Sequence, residues 1–71
     1  MKVITGGKTN GIEFSCMYDA NNIQADSVKQ KDGKNLYGFY GIACNQNDAE
    51  SMLWFDENMT FVEGEILDTE N

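Results

Sequence analysis

A chain of 71 residues with an apolar share of 41% has room for one domain, residues 1–71, built on one small core. It contains no His, Arg or Pro, which removes the usual neutral-pH proton shuttle and the bidentate guanidinium clamp for anions. The formal charge of −7 is unevenly placed: residues 1–34 hold all five lysines against four acids, and residues 35–71 hold eight acids and no base.

The chain opens on Lys2 to Thr5, a short apolar strand, followed by the turn cluster Gly6 to Gly11. Gly7-Lys8-Thr9 has no glycine five residues upstream and runs into a strand pattern, so it is a hairpin turn and not a phosphate loop. Ile12 to Tyr18 alternates, with Ile12, Phe14, Cys16 and Tyr18 on one face of a half-buried strand. Asp19 to Asn22 makes a turn, and Ile23 to Gln30 reads as a weaker, more polar edge strand. Asp32-Gly33 is a tight hairpin signal between that strand and the next.

Leu36 to Cys44 is uncharged, with three aromatics, and is expected to be a central strand buried on both faces. Leu36, Gly38, Tyr40, Ile42 and Cys44 point one way, and Tyr37, Phe39, Gly41 and Ala43 the other. Residues 48–57 admit two readings. Ala49, Met52 and Leu53 have helical spacing, but Ser51 to Phe55 and Thr60 to Val62 around Asp56-Glu57-Asn58 form the better hairpin, with Trp54 near Phe61. The last strand, Met59 to Leu67, is interrupted by Gly64, expected to mark a bulge, and residues 68–71 read as a tail. The expected fold is all-β, a small antiparallel meander of six short strands forming a compact barrel or sandwich. The alternative is α+β, with one short helix over residues 48–57.

No basic segment leading into an apolar run opens the chain, so Cys16 and Cys44 are expected to be reduced, small and buried, in a cytoplasmic protein. Neither thiol has a His or another cationic neighbour in sequence to activate it, and an enzyme is not expected. Glu63 and Glu65 share a face of one strand, yet a pair of carboxylates needs a cleft to work in. The acids match no calcium loop, and neither a metal nor a cofactor is expected. With no base among the aromatic-rich half, direct nucleic-acid binding and membrane binding are both disfavoured.

What this leaves is a non-enzymatic protein-binding module, a monomer or small homo-oligomer, whose partner is a basic protein surface. The candidate partner-binding residues are Asp48, Glu50, Asp56, Glu57, Glu63, Glu65 and Asp68, with Tyr37, Phe39 and Trp54 as candidate aromatic contacts. If the carboxylates form a continuous negative face, they can imitate a nucleic-acid backbone and inhibit a basic nucleic-acid-handling protein such as a defence nuclease. In composition the chain is similar to small acidic inhibitors encoded by phages and mobile elements, including anti-restriction and anti-CRISPR proteins. The alternative is an assembly protein that makes homo-oligomers through sheet edges or an aromatic patch.

Overall fold

A computed structural model describes residues 1–67. Among them the chain forms six strands and no helix: β1 (Lys2–Thr9), β2 (Ile12–Asp19), β3 (Ser27–Lys31), β4 (Lys34–Ala43), β5 (Ala49–Phe55) and β6 (Phe61–Ile66). Asn10 and Gly11 (φ 51° and 82°) join β1 to β2, and Asp32 and Gly33 (φ 55° and 78°) join β3 to β4. Both are two-residue hairpin loops of the left-handed kind that Asn-Gly and Asp-Gly favour. The alternative helix at 48–57 is overturned. Asn47 and Asp48 take φ of 57° and 56°, which no right-handed helix start allows, and Ala49 to Phe55 run on as strand.

All strand pairs are antiparallel, in one sheet of order β1-β2-β4-β5-β6 with β3 also on β4. This departs from a simple meander because β3 has only five residues. It covers β4 from Lys34 to Gly38, and the far end of the same β4 edge pairs with β2 through Phe14–Ala43 and Ser15–Ile42. The sheet is not closed into a barrel. It bends until β1 and β6 approach, where the Gly64 amide donates to Thr9 Oγ1 (3.0 Å) and the Phe61 ring lies against Gly7.

The core fills the concave side. Phe14, Cys16, Phe39, Ala43, Leu53 and Phe55 are buried there, and Phe55 meets Phe39 and Phe61 edge-on at 5.7 and 5.8 Å. A second cluster, Leu36, Met52 and Trp54, lies on the convex side with Leu67 packed on it. The two faces of β4 separate as the alternation requires, but burial on both faces does not hold along its length, since Tyr40 is 54% and Ile42 38% exposed on the convex side.

Other local expectations are corrected by close packing. Gly6 and Gly7 belong to β1 and not to a turn, because bare backbone is needed there beneath Phe61 and against the Phe14 carbonyl. Gly64 is not a bulge: the register shift falls at Trp54/Phe55, and Gly64 is bare because a Cβ there would come 2.5 Å from the Phe14 ring. Trp54 lies opposite Glu63, while Phe55 pairs with Phe61, so Trp54 and Phe61 occupy opposite faces. Ile23 to Asp26 precede β3 without joining it. Both cysteines are free, but only Cys16 is buried and Cys44 is exposed.

Candidate binding cleft

The acids of the second half divide: Glu50, Glu63 and Glu65 share the convex face, while Asp56 and Glu57 are set apart from Glu50 by the length of β5. Asp48 and Glu50 lie where β4 turns into β5, and Asp56 and Glu57 lie just past the other end of β5. From Glu50 to Asp56 the strand rises about 20 Å, more than twice the roughly 8 Å over which charges act through physiological salt. Glu63 and Glu65 lie between, on the convex face of β6 opposite Trp54 and Met52. Asp68 lies outside the described residues. The expected continuous acidic surface is therefore divided by the length of β5.

Glu63 and Glu65 are also neutralised. Lys29 Nζ bonds Glu63 (3.0 Å) and approaches Glu65 (3.8 Å), and Lys31 Nζ bonds Glu63 (2.6 Å). These ion pairs cross the whole width of β4 and β5. That reach is possible because Gly38 has no side chain: the Trp54 indole lies across it, a Cβ there would come 2.7 Å from the ring, and Lys29 passes 4.3 Å above the indole. Hydrogen bonds from Lys31 and then Lys29 hold the Glu63 carboxyl below the usual carboxylate range, and the Glu63 bond raises the Lys31 ammonium in turn. Trp54 Nε1 donates to Glu65 (3.1 Å), and Trp54 is only 6% exposed. Trp54 and Phe39, expected as aromatic contacts, are core residues, since each is covered on its own face of the sheet.

Asp56 and Glu57 remain. They stand beside a cleft of about 460 Å³ at the end of the concave face, to which Ile23, Ala25, Val28, Tyr37, Phe39 and Met59 contribute apolar surface. The cleft exists because the β5–β6 turn folds back over β4. Asp56 Oδ1 accepts from the amides of Asn58 (2.8 Å) and Thr60 (2.9 Å), and Met59 takes φ 61° and packs against the core. This leaves Asp56 Oδ2 without a hydrogen bond, and neither Asp56 nor Glu57 in an ion pair, among the described residues. Lys34 borders the same turn in the adjoining groove without pairing with either acid.

Of the ten residues expected to make the site, the fold gathers Tyr37, Phe39, Asp56 and Glu57 here. Sequence reasoning missed Ile23, Ala25, Val28 and Met59. Val28 had a signal, since it breaks the alternation of Ile23 and Ala25; it lies opposite Tyr37 on the concave side and is 57% exposed. Met59 had none, because its position follows from the Asp56 turn.

Among the described residues no three His, Cys, Asp or Glu side chains converge as a metal-binding group, and no helix is long and apolar enough to cross a membrane. Comparisons with protein-family models, with curated proteins and with solved structures found no match.

Proposed function

We propose that the chain is a non-enzymatic protein-binding module whose partner inserts a basic side chain, lysine or arginine, into the cleft at the end of the concave face. The observation that supports this is the joint placement of unpaired carboxylates and apolar surface. Lysine and arginine are the side chains that need both, an aliphatic stem of three or four carbons ending in a cation. Ile23, Val28, Tyr37 and Met59 meet the stem, while Asp56 Oδ2 and the Glu57 carboxylate meet the charge. Each buried methylene contributes roughly 0.8 kcal/mol and a half-exposed ion pair no more than about 1 kcal/mol. One side chain alone therefore binds weakly, and the surrounding partner surface supplies the rest of the affinity. This reading narrows the inhibitor hypothesis. The protein blocks a basic surface by seizing a particular cationic residue, and phosphate-like spacing of its acids is not required.

The test is an NMR titration of the 15N-labelled chain with short extended peptides carrying one Lys or Arg, against matched peptides with norleucine or citrulline. The cationic peptides are expected to shift the amides of Ile23, Val28, Tyr37 and Met59, with weaker shifts at high salt. D56N/E57Q, which keeps a side-chain oxygen in place to accept the turn's amides, should lose the response. Equal binding of the neutral peptides, or none by the cationic ones, overturns the reading.

A further inference from the structure

Among the described residues β3 is paired on one side only. Lys31 and Lys34 close the two-residue Asp32-Gly33 turn as a hydrogen-bonded pair, so the backbone groups of Ser27, Lys29 and Lys31 face β4. Those of Val28 and Gln30 face away from it. Among the described residues neither of these two amides donates to a side chain or a loop carbonyl. The Tyr40 amide, left open on β4 where β3 ends, is by contrast capped by the Asp26 carboxylate (3.2 Å). An unpaired edge is a template for another extended chain. We propose that a segment of the partner adds to β3 as a further antiparallel strand and carries, opposite Val28, the cationic side chain that the cleft takes.

Val28 ties the edge to the cleft. Its backbone N–H and C=O point out of β3, and its side chain, exposed on the concave side opposite Tyr37, forms one wall of the cleft. In an antiparallel pair the residue opposite Val28 presents its side chain on the same face as Val28. That side chain therefore enters the cleft over Val28, with Asp56 and Glu57 at the far wall. β4 lies between β3 and the Asp56 turn, so only a long side chain crosses, which again selects lysine or arginine. The identity of the side chain rests on the cation reading of the cleft, while the strand pairing rests on the edge itself.

Lysines on an edge strand ordinarily guard it against stray strands. Here they are withdrawn: Lys29 and Lys31 turn over the convex face to Glu63, and Lys29 passes 4.3 Å above the Trp54 ring. Ser27, Val28 and Gln30 are left exposed along the edge. A second copy is the poorer occupant, because its own β3 would bring Gln30 or Val28 opposite Val28 and would leave Asp56 and Glu57 without a cation. A partner segment that carries lysine or arginine at that place answers the edge and the unpaired carboxylates together.

The test measures amide hydrogen exchange of the 15N-labelled full chain with short extended peptides that carry one lysine. Saturating peptide is expected to slow exchange at Val28 and Gln30 by about tenfold or more. Methylating the peptide's backbone nitrogens on the alternate set that includes the lysine should weaken binding by about tenfold or more, and methylating the other set should not. Gln30→Pro removes an outward N–H, keeps the β3–β4 ladder and touches no wall of the cleft, so it should weaken binding likewise. Peptides that shift Ile23 and Met59 but leave Val28 and Gln30 exchanging freely, with both methylated forms binding alike, overturn the strand and leave the cation site standing. A norleucine peptide that protects the two amides equally well supports the strand and overturns the cation reading. No binding by any lysine peptide overturns both. Protection of the two amides in the chain alone, with a dimer in sedimentation, gives the edge to a second copy and overturns the proposal.

Discussion

Two thiols in one small protein behave differently because of what surrounds them. Cys16 is buried beside Phe39, and burial first, then the Asp26 carboxylate, pushes its thiol up to about 11; Cys44 is exposed past the end of β4. Since the thiolate is the reacting form, a disulfide-exchange reagent at about pH 8 should modify Cys44 alone, and Cys16 only after denaturant is added. Two fast equivalents in the native protein would contradict the burial. Glu63 provides a second residue-scale expectation. Its carboxyl is depressed below the ordinary value of 4.5 in the fold, mainly by the hydrogen bond from Lys31. Its contribution to stability is therefore present above that ordinary value and disappears as pH falls through the depressed one. Melting curves of E63Q should lie below wild type at neutral pH and converge with it in acid. Lys31 mirrors this at the alkaline end, where its stabilising share is lost as pH rises through its raised value.

At the scale of elements, the hairpins show why two glycines in one chain are needed for unrelated reasons. Gly33 has open space around it but φ of 78°, so Gly33→Ala costs only the left-handed backbone, about 1 kcal/mol. Gly64→Ala instead drives a methyl into the Phe14 ring, an overpacking expected to cost about 1–3 kcal/mol. Chemical denaturation of G64A with and without Phe14→Leu separates the two causes. The smaller side chain should recover part of the G64A loss and none of the G33A loss. The Asp-Gly turn is legible in sequence because two residues carry all of its information, and so is the alternation of Phe14, Cys16 and Tyr18. Gly6, Gly7 and Gly64 pass for turn and bulge in the sequence because their reason is a ring or carbonyl on another strand. The acidic face fails likewise: Lys29 and Lys31 follow each other on β3, Glu63 and Glu65 on β6, and nothing local says that Gly38 lets them meet over Trp54. Of the site, Asp56 and Glu57 are legible as acids in a hairpin turn, whereas their lack of ion-pair partners and the apolar cleft beside them are products of how the chain folds.

For the molecule as a whole, one ring ties the concave side together. Phe55 is fully buried and touches both Phe39 and Phe61. Phe55→Ala should cost about 3–5 kcal/mol, against a total of roughly 4–10 kcal/mol for a chain this short. Calorimetry is expected to show a large drop in melting temperature, and a cooperative melt at the wild-type temperature would mean that the core is not organised around that ring. The shortness of β3 has a kinetic counterpart. Because β3 takes the first half of the β4 edge, the β1–β2 hairpin has few backbone ties to the body, namely two register pairs, the Cys44-to-Glu13 bond (2.7 Å) and the Thr9–Gly64 contact. Its other ties are side chains, Phe14 and Cys16 in the core and Asn45 bonded to Glu13 and Gly11. So few backbone fasteners let that seam fray locally while Phe14 and Cys16 stay in the core. Deuterium uptake should register this opening as early labelling of the Cys44 and Gly64 amides, with the Leu53 amide protected until global unfolding.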